Sequence, residues 1–292
     1  MKLYRLFIFL TIASSFLMIA ACRDGGIGSI RYGKVLVNMT GAKPLLPEGA
    51  ENVTNLLISI KGVSVHKSGG SWISLPLGEN SPLTIDLLQF INGNTTDLVP
   101  PVLLEYGRYT QIRLEIESAT IGFDNDVESA VVIPPNHFKT DKNFLFDVND
   151  SGPIGIIIDF DLSQSLKITD PFGTPKYILN PVLHIVDALK VVNINGKVAQ
   201  GSFVVGQNAE VTVFIPNSGV QGGYEEYTRI EVSESGADLT EFNIHWLDPK
   251  QVYSVEIKFD PDFGNGVDFS EDVSADDLES GDVWNLNKGN PI

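Results

Sequence analysis

The sequence predicts an all-β protein: two β-sandwich domains standing behind an export signal. Three observations lead there. Polar and apolar residues alternate with period two along most of the chain from Gly33 onward, turn-forming residues separate the alternating runs, and long 3.6-residue periodicity is scarce. Many short strands joined by regular turns favour sandwiches over a parallel α/β sheet.

The first residues predict an address. Met1-Lys2-Leu3-Tyr4-Arg5 carries two positive charges, and Leu6 to Ala21 carries none. A short basic region before an apolar run reads as a secretory signal over residues 1–21. A spanning helix needs roughly 20 apolar residues, and this run stops sooner, at small residues. Ile19-Ala20-Ala21-Cys22 resembles the lipobox of bacterial lipoproteins. That resemblance implies cleavage before Cys22, a diacylglyceryl group on its sulfur, and acylation (a palmitate, for example) of the new amino terminus. Several buried acyl chains hold a protein to a membrane durably where one does not. Arg23 follows the cysteine where aspartate would signal retention in the inner membrane by analogy with enteric sorting, so the expected address is the outer membrane. Residues 22–33, with Gly25, Gly26 and Gly28 and no apolar periodicity, read as a tether.

The first domain is expected over residues 34–190. Val35-Leu36-Val37, Leu56 to Ile60, Trp72 to Leu75 and Ala130 to Ile133 are strand candidates, with turns at Lys67 to Gly70 and Ile133 to Asn136. The clearest run is Gln111 to Glu117, whose Ile112, Leu114 and Ile116 face a core while Arg113, Glu115 and Glu117 face water. Only Leu87 to Phe90 and Ala275 to Leu278 suggest short helices. Tyr177 to Val186 reads as a strand pair or a bent strand closing this domain. The second domain, residues 191–292, opens on Ile194-Asn195-Gly196-Lys197-Val198, read as a strand with a turn. It continues with strands over Ala209 to Ile215, Tyr227 to Val232, Phe242 to Trp246 and Tyr253 to Phe259, followed by an acidic C-terminal segment.

The halves share an echo. Leu104-Glu105-Tyr106-Gly107-Arg108-Tyr109 leads into one alternating strand, and Leu247-Asp248 to Tyr253 leads into another. A leucine, a turn and a tyrosine opening such a strand resemble prealbumin-like sandwiches, in which the tyrosine caps the core at a sheet edge. A larger resemblance covers roughly Gly33 to Ala188. Ile60 to Lys67 followed by Trp72 and Ile85-Asp86-Leu87-Leu88, then Tyr106 to Leu114, then Ile158 to Ser165 with Tyr177 to Val182 behind it, resemble bacterial lipoprotein domains of the family of domain of unknown function 4382. The chain departs from the family pattern at Asn180, where a basic residue is expected, and in the less typical stretch Phe138 to Phe146. The resemblance implies a β-sandwich at the cell envelope and no assigned activity.

Composition narrows the chemistry. Lys and Arg number 20 against 37 Asp and Glu, a formal charge of −17, and loss of Lys2 and Arg5 with the signal takes −17 to −19. Such a surface repels phosphates, so nucleic acid is not an expected partner. Cys22 is the single cysteine, which removes internal disulfides, thiolate zinc sites and a thiol nucleophile from the lipidated protein. His66, His137, His184 and His245 stand in no metal spacing. No Gly-x-Ser-x-Gly, His-Glu-x-x-His or phosphate loop appears.

Three groups of residues remain as candidates. Asp159 and Asp161 sit two apart on a predicted strand, hence on one face and about 6–7 Å apart. They suit a calcium ion, an acid/base pair, or simple acceptance of hydrogen bonds from Ser163 and Ser165. Asp260, Asp262, Asp268 and Glu271 fall at the first, third, ninth and twelfth places of a calcium loop. However, Gly264 replaces a ligand, Asn265 replaces the turn glycine, and no helices flank the loop, so a solvated acidic turn competes with a calcium site. Trp72 and Trp246, with Trp284, Tyr224 and Tyr227, would stack on sugars if exposed and pack the core if not. The expected function is a non-enzymatic binding, adhesion or assembly module. It would be tied to the membrane by its lipid and would contact extracellular polymer or another envelope protein through loops at the sandwich ends. An envelope hydrolase using the acidic pair and a plain structural spacer are the competing readings.

Overall fold

The computed structural model describes residues 30–41, 53–78, 81–134, 138–139, 144–170, 174–204, 208–259, 268–274, 278–279 and 281–292. The lipobox residues Ile19, Ala20, Ala21 and Cys22 lie outside them, as do Asp260, Asp262 and most of the short helix expected at Ala275 to Leu278. Among the described residues no helix is long and apolar enough to cross a membrane. Tyr32–Ile292 forms one compact unit.

That unit is all β. Its strands are β1 (Tyr32–Gly41), β2 (Val53–Lys67), β3 (Trp72–Leu75), β4 (Leu83–Asp86), β5 (Thr96–Glu105), β6 (Gly107–Phe123), β7 (Glu128–Val132), β8 (Phe138–Lys139), β9 (Phe146–Val148) and β10 (Ile154–Asp161). A single helical turn, α1 (Leu162–Ser165), leads to β11 (Leu166–Thr169), β12 (Lys176–Leu179) and β13 (Val182–Asp187). Then come β14 (Val192–Ala199), β15 (Ala209–Pro216), β16 (Tyr224–Val232), β17 (Leu239–Leu247), β18 (Tyr253–Lys258), β19 (Phe269–Val273) and β20 (Val283–Asn285). Leu87–Phe90 is a 3₁₀ turn, capped by the Asp86 carboxylate.

Four sheets result. The first sandwich sets the sheet β13-β10-β1-β5 against a nine-stranded sheet ordered β11-β12-β7-β6-β2-β3, with β4 on β2 and with β8 and β9 on β6. The second sets β17-β14-β20 against β16-β15-β18-β19. Each encloses its own apolar cluster: Val35, Val37, Ile58, Ile112, Leu114 and Phe160 are among those filling the first, and Val192, Ile194, Val211, Val255 and Ile257 among those filling the second.

The alternation in β6 runs inward at Ile112 and Leu114 and then changes parity, with Ala119 and Ile121 buried. Ser59 pairs with Ser118 and the next residue, Ile60, with Ile116, so Glu117 is the extra residue of a bulge. One extra residue moves every later side chain to the other face. Tyr177 to Val186 resolves into two strands of different sheets. The crossover is pinned by Ser165: its carbonyl accepts from Asn180 N (2.8 Å), its hydroxyl oxygen accepts from Val182 N (2.8 Å), and Pro181 between them needs no acceptor.

Asn195-Gly196 makes no turn; β14 runs straight through it. Glycine is needed there for another reason: a Cβ at Gly196 would lie 2.1 Å from Cζ of Phe242, whose ring covers that site. The tyrosines of the sequence echo do similar work in both sandwiches. Tyr109 is fully buried and its hydroxyl donates to the Glu105 carbonyl (2.9 Å). Tyr253 is fully buried; its hydroxyl donates to the Asp248 carbonyl (3.1 Å) and accepts from Asp248 N (2.9 Å). A core tyrosine that satisfies its hydroxyl on backbone just upstream fixes the turn and hides the polar atom at once.

Candidate functional site

The site assembles where β10 and β13 of the first sandwich meet β16 and β17 of the second. Ile156, Ile158, Phe160 and Leu162 face the first core and are fully buried. Asp159 and Asp161 therefore share the opposite face, the one turned to the second sandwich. His184 is the antiparallel partner of Asp159 in the register of β13. Its ring stacks on Tyr227 of β16 at 4.0 Å and 29°, and Tyr227 meets Tyr253 edge-on at 5.6 Å.

The two carboxylates have opposite surroundings. Asp161 is wholly buried and fully engaged. Oδ1 accepts from the Ser163 hydroxyl (2.6 Å) and Gln164 N (3.2 Å), and Oδ2 accepts from Gln164 Nε2 (3.1 Å). His184 Nε2 stands 3.5 Å from Oδ2, an ion pair rather than a short hydrogen bond. Burial would raise this carboxyl, but His184, Ser163 and the Gln164 amide outweigh it and hold it below the ordinary carboxylate value. The same Gln164 Nε2 reaches the Tyr227 carbonyl at 2.8 Å, so a residue inside α1 also ties the two sandwiches together. His184 behaves reciprocally: burial lowers it, Asp161 and Asp159 more than restore it, and its pKa ends above 6.5.

Asp159 receives no hydrogen bond from any described residue. Burial pushes its carboxyl up to about 6, against the pull of His184, with Asp161 adding to the rise. What surface it keeps faces a cavity of about 430 Å³. One wall comes from the first sandwich, with Thr40, Gly41, Asp159 and the turn Ile91-Asn92-Gly93; the other comes from β16, β17 and their connection. The Thr40 hydroxyl lies 2.8 Å from the Phe90 carbonyl and 2.7 Å from that of Asn94, fastening the turn to β1. Gly93 has φ +81°, and a Cβ there would stand 2.9 Å from the His245 ring.

The far wall is built on a bulge. Val192 pairs with Leu247 and Ile194 with Ile244, so His245 and Trp246 together oppose Asn193. Trp246 takes φ +61°, a conformation that costs a bulky residue about 1–3 kcal/mol. Successive residues of a regular strand point to opposite faces; the bulge re-aims them, and both His245 and Trp246 line the cavity. His245 Nδ1 contacts Asn193 Oδ1 at 3.2 Å, and burial lowers its pKa, leaving the ring neutral at pH 7. The Trp246 indole N–H is buried without an acceptor among the described residues.

The other sequence candidates fall elsewhere. Trp72 is not an open stacking surface: the Arg113 guanidinium lies over its ring at 4.0 Å and His66 meets it edge-on at 5.2 Å. Trp284 donates to Glu271 Oε1 (2.8 Å), and Glu271 Oε2 accepts from Asn287 N (2.7 Å), so both oxygens of that carboxylate serve the fold. Asp268 accepts from Phe259 N (2.7 Å). Among the described residues no three His, Cys, Asp or Glu side chains are arranged to hold a metal ion. Gln164, and the places that His184, Tyr227 and His245 take here, could not be picked from sequence, because each meets a partner 25 to 63 residues away; the 25-residue gap from Asp159 to His184 is set by strand pairing, not by a motif.

Known proteins give a family and little else. The sequence model of a family described as domain of unknown function (DUF4382) matches residues 32–181. None of the curated proteins matches the chain. Among solved structures, a leucine-rich repeat protein from Bacteroides thetaiotaomicron overlaps 89% of this chain and 26% of its own, at 11% identity and a TM-score of 0.21, so this chain spans about a quarter of that protein's length. The fimbrial anchor protein Mfa2 from Porphyromonas gingivalis overlaps 82% of each chain at 12% identity and a TM-score of 0.21. The tip fimbrial protein Mfa3 of the same organism overlaps 83% of this chain and 81% of its own, at 12% identity and a TM-score of 0.17. With half its length matched by the family model, this chain belongs to the DUF4382 family.

Proposed function

We propose that this protein is a lipid-anchored envelope module that binds rather than catalyses, and that it takes its ligand, an extracellular polymer or another envelope protein, in the cleft between its two sandwiches. The observation that carries the reading is the 430 Å³ cavity, walled by both sandwiches and by the strained Trp246. Its volume is in the range of small-ligand sites, and strained backbone in a bulky residue is commonly kept for function. Catalysis by the Asp159–Asp161 pair is disfavoured, since both oxygens of Asp161 are already occupied and only Asp159 faces the cavity. The second sandwich reads as prealbumin-like on the strength of its tyrosine-to-backbone bond, repeated from the first. The lipobox-like Ile19-Ala20-Ala21-Cys22 supports the anchor, and Arg23 after it supports an outer-membrane address.

Two measurements test this. Labelled palmitate is expected to enter the protein in cells, and Cys22→Ser to remove the label and release the chain from membranes; label retained by the variant ends the anchor reading. Envelope polymer and membrane-protein fractions are expected to retain the protein, with Ser233→Trp, a bulky change at the exposed rim of the cavity, abolishing retention. Retention indifferent to Ser233→Trp would move the ligand out of the cleft.

A further inference from the structure

We propose that the cavity is a receptor for an organic cation, an ammonium or guanidinium group that pairs with Asp159; the proposal rests on the cleft reading above and names its ligand chemistry. Asp159, Glu231 and Glu241 line the cavity, and among the described residues no Lys or Arg does. Two of these carboxylates are already served: Glu241 pairs with Lys197 at 3.5 Å, and Glu231 accepts from the Asn208 amide. At the deep end, His184 supplies one positive charge for two aspartates and sits on Asp161. Asp159 is left with a desolvated carboxylate that no described residue bonds.

A half-buried carboxylate without a donor is costly, and what relieves it best is a cation brought in with the ligand. The remaining walls suit the carbon skeleton of such a cation. Phe242, Ile230 and Ile244 give apolar surface, and Trp246 gives an aromatic wall of the kind that attracts ammonium and guanidinium groups. Anions are disfavoured, since the side chains of full charge in the lining are carboxylates and its donors, the Trp246 indole N–H among them, are neutral. Calcium fits poorly, because it needs six to eight oxygen ligands and the groups around Asp159 include an imidazole and an indole. The formal charge of −17 would draw cations to the surface from a distance. One chemistry has two sources, a free amine or the Lys or Arg side chain of a basic protein segment, and the test separates them.

The test is calorimetric titration of the full chain with 1,5-diaminopentane, agmatine, an end-blocked Gly-Lys-Gly-Lys-Gly peptide and its lysine-acetylated form. Binding of the charged probes is expected, with the acetylated peptide inert. Asp159→Asn should weaken binding by about thirtyfold or more, as loss of a buried charge partner does, and Ser233→Trp should block it. Binding should also tighten as pH rises from 5 to 7.5, because the proton on Asp159 competes with the cation. The titratable groups around Asp159 and the cavity are His184 on β13, Asp161 on its own strand, Tyr227 and Glu231 on β16, and Glu241 and His245 on β17. Diamine and peptide binding alike indicates a free amine; peptide binding alone indicates a basic segment. Charged and acetylated peptides binding equally, or charged probes binding Asp159→Asn undiminished, would overturn the proposal. No amine binding alongside polymer retention still lost in Ser233→Trp would sink the cation and leave the cleft standing. Failure of both would remove both.

Discussion

Replacing Asp161 by alanine is expected to destabilise the fold by about 3–5 kcal/mol, the cost of leaving a buried ion pair half made. The variant strips the cap from α1, frees the Ser163 hydroxyl, leaves Gln164 Nε2 only its backbone acceptors in β16, and leaves His184 facing no carboxylate but Asp159. Urea unfolding at pH 5 to 6 is the place to look. The Asp161 carboxyl is lowered on folding, so its stabilisation is present above its ordinary value of 3.8 and is lost as pH falls through the lower folded one. His184 is raised, so its share is complete below 6.5 and is lost as pH rises through its folded value. Asn at the same position keeps the helix cap and should fall between wild type and alanine. A loss under about 1 kcal/mol for Asp161→Ala would mean the pair is screened rather than buried.

Asp159→Asn, two residues away on the same face, should do the reverse. Its carboxyl rises from 3.8 to about 6 on folding. The folded chain then holds a proton that the unfolded chain has released, and stability falls as pH climbs through that interval. Above pH 6 the full penalty of a desolvated charge is in place, about 3 kcal/mol for a shift of this size. The amide removes it, so the variant should melt higher than wild type at pH 8 and together with it at pH 4. An equal difference at both pH values would show that the Asp159 carboxylate is hydrated. A destabilised variant at pH 8 would show that it has a donor after all.

That two aspartates on one face should differ in sign marks the boundary of sequence reading. Their common face was legible, because period two in Ile156-Ile157-Ile158-Asp159-Phe160-Asp161 is a local property of an extended chain. The same holds for Ile112 and Leu114 facing the core, and for Tyr109 and Tyr253 at the head of their strands. In the tyrosines a turn within five residues supplies the acceptor. Asn195-Gly196 was misleading for the complementary reason: glycine is required there by the Phe242 ring, 46 residues away, rather than by a turn. The break in β6 was equally hidden, since a bulge at Glu117 is fixed by the register against β2.

The sequence by itself determined the all-β class, the inward face of most strands and the paired tyrosines, all set by near neighbours and a two-residue period. Tertiary structure alone decided which aspartate is satisfied and which is not, that Trp72 lies under Arg113 while Trp246 opens on a cavity, and that His184 belongs with both carboxylates. Ionisation and exposure depend on what is packed within a few ångströms, whatever its distance along the chain, and the pairing of β10 with β13 and of one sandwich with the other is what places those neighbours.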